Sequence, residues 1–87
     1  MTYNASTHQL ISDGACAEAW YFPILVNCEE GKSEEKWTIN PQYNEWGRLG
    51  YSINPEIRPD DALYWKSRHG DTLGLRPGGE RFALPSA

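Results

Sequence analysis

Positive charge, cysteine and long apolar runs are all scarce in this chain, and each scarcity closes off a class of function. The 87 residues carry 8 Lys and Arg against 12 Asp and Glu, a formal net charge of −4. Binding to a phosphate backbone needs clustered Lys and Arg, so direct nucleic-acid binding is disfavoured. Anionic membrane surfaces are disfavoured for the same reason. The longest strongly apolar run, 19–26, is interrupted by Pro23 and is far too short to span a membrane. The opening residues Met1-Thr2-Tyr3-Asn4-Ala5-Ser6 are polar and lack the apolar stretch of a secretion signal, so a cytoplasmic, soluble protein is expected. The two cysteines, Cys16 and Cys28, fall short of a disulfide framework. In a protein without an export signal they are expected as reduced, half-buried thiols rather than as a bridge.

Catalytic signatures are equally sparse. A cysteine nucleophile would have to pair Cys16 or Cys28 with His8 or His69, and no local motif marks such a pair. A zinc site built from the same four residues would lack the closely spaced ligand pairs such sites use. The carboxylate pairs Glu29-Glu30, Glu34-Glu35 and Asp60-Asp61 sit beside glycine, lysine or proline, where solvated loops and caps are expected. Gly70, Gly74, Gly78 and Gly79 recur without the Lys-Ser/Thr of a phosphate cradle. No catalytic residue, cofactor or metal ion is therefore expected, and the chain does not read as an enzyme.

Aromatic rings are what the chain has in quantity: 4 Trp, 5 Tyr and 2 Phe. A core built on rings suits a small β-rich domain, because rings bury the most area per residue. The clearest pattern is an echo. Trp37-Thr38-Ile39-Asn40-Pro41 returns as Tyr51-Ser52-Ile53-Asn54-Pro55. Each copy reads as a strand stopped by Asn-Pro, with Trp37, Ile39, Tyr51 and Ile53 facing the core and Thr38 and Ser52 facing outward. Residues 20–28 form the densest strand signal; Pro23 divides it and leaves Ile24-Leu25-Val26 as a buried centre. Residues 13–19 read as a short helix capped by Ser12 or Asp13. Residues 29–36 read as a charged hairpin loop leading into Trp37.

After Pro59 two readings compete. A helix over 59–69 has proline, acids and a terminal glycine in the right places. A hairpin pairs 63–66 with 72–75 through a turn around His69-Gly70-Asp71, and the ring content favours it. Phe82-Ala83-Leu84 adds a last short strand. The expected fold is thus mainly β (or α+β): a small antiparallel single domain, with the 59–69 helix as the alternative. Residues 1–12 are expected as a partly flexible segment or short edge strand, 13–84 as the compact body, and 85–87 as a tail.

Function is expected in binding. Six acids against two lysines precede Trp37, whereas charges balance after it. One candidate surface is the acidic stretch Glu29, Glu30, Glu34 and Glu35, which suits a basic partner. The other is the ring-and-arginine set Tyr43, Trp46, Arg48, Tyr64, Trp65 and Arg68, the residue types that dominate interface hot spots. Of these, Tyr43, Trp46 and Arg48 lie in a Pro/Gly-bounded loop and are expected to be exposed. The leading expectation is stoichiometric binding to another protein, as an inhibitor or adaptor, with a basic or nucleic-acid-handling partner. Phage and mobile-element proteins that block host machinery share this profile, an analogy of class only. Two alternatives are a small-ligand or carbohydrate module stacking on Trp37, Trp46, Tyr51 or Trp65, and a structural subunit pairing through the strand edge at Pro23.

Overall fold

The computed structural model describes residues 1–67 and 72–84. Its strands are β1 (Thr2–Asn4), β2 (Gln9–Ser12), β3 (Ala15–Ala19), β4 (Pro23–Val26), β5 (Trp37–Tyr43), β6 (Leu49–Pro55), β7 (Asp61–Ser67) and β8 (Thr72–Pro77). A single 3-10 turn at Ser33–Glu35 is the only helical element among the described residues. The strands form an antiparallel meander, β1-β2-β3-β4, and two ribbons, β5-β6 and β7-β8. The mainly β antiparallel fold expected from the ring content is the one adopted.

Two local expectations fail for identifiable reasons, and of the two readings after Pro59 the hairpin is the one adopted. Residues 13–19 are not a helix: Asp13 and Gly14 both have positive φ, 52° and 77°, and close a two-residue hairpin from Ser12 to Ala15. Asp-Gly matches the twist of paired strands, which outweighs the capping potential of Asp13. Residues 29–36 are not a hairpin loop, because β4 pairs with β3 and β5 with β6. They form a crossover, carrying the 3-10 turn, from the meander to the first ribbon. The 59–69 helix is absent over its described part. Leu63 pairs with Leu75, Tyr64 with Gly74 and Trp65 with Leu73, with a bulge at Lys66. The turn expected around His69-Gly70-Asp71 lies outside the described residues, as does the 85–87 tail. Gly74 is needed here: a Cβ would lie 2.7 Å from the Tyr64 ring, which crosses it beneath the Arg76 guanidinium.

The two copies of the echo pair with each other. Trp37 faces Pro55, Ile39 faces Ile53 and Pro41 faces Tyr51, so the ribbon has local two-fold character centred on the isoleucines. Trp37, Ile53 and Pro55 are buried, and Thr38 is exposed, as the alternation requires. Ser52 is buried instead of outward, because the second face of the ribbon is covered as well. Only Pro55 ends its strand; β5 runs through Pro41 to Tyr43. The register explains why. Tyr51 exchanges both backbone bonds with Phe82, so its polar groups point away from β5 and Pro41 sits at a non-hydrogen-bonded position. Trp37 donates its N–H to His8 O, which puts Pro55 in the same class. Proline costs the ladder nothing at such sites. Phe82 contributes only this isolated bridge rather than a strand.

The core is Leu10, Ala17, Ala19, Trp37, Ile53 and Leu63, with Tyr3, Ile39, Leu73, Leu75 and Phe82 packed around it. The opposite face of the β5-β6 ribbon holds a polar centre. Asn54 Oδ1 accepts from Asn40 Nδ2 (3.0 Å) and Ser52 Oγ (2.8 Å). Its Nδ2 donates to Pro59 O (3.0 Å) and Asp61 O (2.8 Å), fixing the path from β6 into β7. Replacing Asn54 by Ala strands all four partners, and urea denaturation should show a loss of about 2–3 kcal/mol. Thr38→Ala, which removes one exposed 3.4 Å contact, should change stability by less than about 0.5 kcal/mol.

Candidate protein-binding surface

The β5-β6 hairpin tip is built by Asn44. Its backbone N–H donates to Arg48 O and its carbonyl accepts from Gly47 N. Its side-chain Oδ1 accepts from Trp46 N at 3.0 Å and Arg48 N at 2.8 Å. Gly47 takes a positive φ of 75°, which the turn requires. The result is a closed loop with no long free segment, and it holds Trp46 outward at 82% exposure. Tyr43 and Leu49 are exposed beside it, and Arg48 is exposed with its carbonyl held by Arg81 Nη1. The structure therefore places Tyr43, Trp46 and Arg48 on one hydrogen-bonded hairpin tip.

The acidic set is split. Glu29 and Glu30 are exposed, Glu34 is half-buried, and Glu35 is 0% exposed. Glu35 Oε1 accepts from Gln9 Nε2 and from the Glu29 backbone N–H, each at 2.9 Å. Its neighbour in this buried network is Glu18, which accepts from Lys32 Nζ (2.8 Å) and Trp20 Nε1 (2.9 Å). The Lys32 ammonium, and then the Trp20 indole, hold the Glu18 carboxyl below the usual carboxylate range despite its burial. Glu18 in turn raises the Lys32 ammonium. One of the four acids, Glu35, thus serves to fasten the crossover to Gln9 on β2.

A disulfide completes that attachment. Cys16 and Cys28 are bonded, with Cα atoms 4.9 Å apart, rather than being reduced thiols as expected. The β3-β4 pairing sets Cys16 opposite Val26, two residues from Cys28, so the ladder itself delivers the sulfurs to one another. Of the two histidines only His8 falls among the described residues, and it pairs with Glu56 at 2.6 Å. That glutamate, after burial, also pushes the Tyr3 phenol upward. Among the described residues no group of three His, Cys, Asp or Glu side chains is placed to hold a metal ion. No helix there is long and apolar enough to cross a membrane. Comparison with protein-family models, curated proteins and solved structures finds no match to this chain.

A second apolar surface has no counterpart in the expected site. Trp20, Tyr21 and Phe22 are all exposed, Tyr21 at 94%, and Leu25 follows at 55%. In sequence these rings read as the front of a buried strand; in the fold they are a bend ahead of β4. Their one discoverable signal was Pro23, a residue that favours the first position of a strand, and β4 begins at it. Of the remaining ring candidates, Trp37 is fully buried, while Tyr51, Tyr64 and Trp65 are half-buried, Trp65 against Phe82. Arg68 lies outside the described residues.

Stability should follow the Glu18–Lys32 pair. A carboxylate whose folded pKa is depressed contributes stability above its unfolded pKa, about 4.3, and loses it as pH falls through the folded value. The urea midpoint should therefore fall on acidification below about pH 4.5. In Lys32→Gln that acid limb should flatten; an unchanged limb would mean that Glu18 is not held by Lys32.

Proposed function

We propose that this protein acts by stoichiometric binding to another protein, as an inhibitor or adaptor, with Trp46 as its anchor. The observation that carries this reading is the hydrogen-bonded tip that presents Trp46 almost fully exposed. An exposed indole on a preordered loop forfeits little conformational entropy on docking, and Trp, Tyr and Arg are the side chains that dominate interface energetics. Tyr43 and Arg48 flank it in the same loop. The acids still presented at the surface, Glu29, Glu30 and the adjacent Glu45, support a basic or nucleic-acid-handling partner. The carbohydrate alternative loses its platform at Trp37, whose ring is buried; Trp46 stays exposed, and Tyr51 and Trp65 are half-buried.

On location, the Cys16–Cys28 bond favours an oxidising compartment, because cytosolic thiols are held reduced.

Immobilised full-length protein and its Trp46→Ala variant, crosslinked in lysate of the native cell and read by mass spectrometry, test the reading. A partner retained by the parent protein should be depleted about tenfold or more by Trp46→Ala, at an unchanged urea midpoint. Equal capture by both proteins would remove Trp46 from the interface.

A further inference from the structure

The second apolar surface adjoins an open strand edge. β4 is the outer strand of the meander, and the register fixes which of its backbone groups are free. Ser12 and Ala15 close the Asp13-Gly14 hairpin and so form a hydrogen-bonded pair. Alternation along β3 then turns the backbone of Cys16 and Glu18 toward β4 and that of Ala17 away from it. Val26 and Ile24 are therefore bonded to β3, whereas Leu25, opposite Ala17, points its N–H and C=O out of the sheet. No charged residue lies on β4, although edges are commonly guarded by charge. The outer edge of β5, by contrast, is interrupted mid-strand by Pro41.

Beside this edge, between β4 and the β7-β8 ribbon, runs an apolar groove of about 730 Å³. Phe22 and Leu25 form one wall, and Leu63, Trp65 and Leu73 the other. Lys66 is the single charged side chain lining it, and it makes no ion pair among the described residues. An open backbone edge, an apolar trough beside it and a lysine without an ion pair among the described residues together describe an occupant. It has extended backbone, bulky apolar side chains on alternate residues, and a carboxylate.

We propose that the outer edge of β4 takes up an extended acidic-apolar segment of a partner protein, which adds as a strand beside Leu25, seats its apolar side chains in the groove and turns a carboxylate to Lys66. This rests on the protein-binding reading and gives it a second contact, independent of Trp46. A lipid-like molecule would fill the trough but leave the Leu25 backbone unused.

The test uses full-length protein and synthetic heptapeptides that alternate Thr with Val, Ile, Leu or Phe and end in Glu. Binding is followed by calorimetry and tryptophan emission. Each peptide is compared with copies N-methylated on its odd or its even residues, and with a copy ending in Gln. One methylation series should abolish binding and the other spare it. Leu25→Pro should weaken binding about tenfold by removing the outward N–H. That variant should retain its near-ultraviolet spectrum and urea midpoint, since Pro23, opposite Ala19, already occupies the same class of position. Lys66→Gln should erase the preference for Glu over Gln, and Trp46→Ala should leave peptide binding unchanged. Equal binding of both methylation series, failure of the whole panel to bind, or uptake of laurate in its place would overturn the proposal. None of those results would alter the Trp46 capture experiment, so the two readings fail separately.

Discussion

The indole of Trp37 is the contact on which the two halves of the molecule depend. Its ring is fully buried in the core, and its Nε1 donates to Ala17 O at 3.0 Å. Its backbone N–H donates to His8 O, and its carbonyl accepts the Tyr3 hydroxyl at 2.7 Å. Every polar group of this residue is thus spent on the meander, although the residue belongs to the first ribbon. The β2-β3 ladder makes room for it: the pairing runs only from Ser12–Ala15 to Ile11–Cys16, which leaves the Ala17 carbonyl to the indole. A buried ring that also satisfies its own donor joins sheets without an orphaned polar group.

Around that joint, β3 is the most constrained strand. Residues 16–19 are all buried, because the core covers one face and the crossover covers the other. Covering the second face meant burying two carboxylates: an ammonium and an indole hold Glu18, whereas an amide side chain and a backbone N–H both reach Oε1 of Glu35 and leave its Oε2 without a hydrogen-bond partner among the described residues. Such pairs add specificity of position more reliably than net stability. The disulfide acts on the same segment from the covalent side. It ties the crossover to β3, while the bend at Trp20–Phe22 and the tip at Trp46 keep their rings toward solvent.

Residues whose chemistry acts locally were legible in the sequence; those whose role depends on register were not. The β class, the hairpin of β7 and β8, and the exposure of Tyr43, Trp46 and Arg48 all follow from ring content and turn residues. The echo correctly marked β5 and β6, and the inward positions of Trp37 and Ile53. That the copies pair with one another, and that Pro41 lies within a strand, depends on which backbone groups face outward, which one strand alone does not specify. Asp13-Gly14 is a hairpin-turn signal that the helix reading of 13–19 passed over. Burial of Glu35 follows from the crossover packing on the meander, and bonding of Cys16 to Cys28 from the β3-β4 register; neither is marked within its own segment. The rings at 20–22 mislead for the complementary reason: β propensity describes a half-buried pleat, and here the pleat begins three residues later.

The way the strands are wired has a kinetic corollary. Each ladder joins strands that are neighbours in the chain, from β1-β2 through β7-β8, so each can close without waiting for a distant segment. Chains dominated by such local pairing reach the native state faster than sandwiches whose strands must find remote partners. The slow event left to this molecule is the meeting of its preformed hairpins, and Trp37 is the residue through which they meet. A nucleus centred on that encounter would form late and involve few residues, and most of the ladder would already be in place when the barrier is crossed.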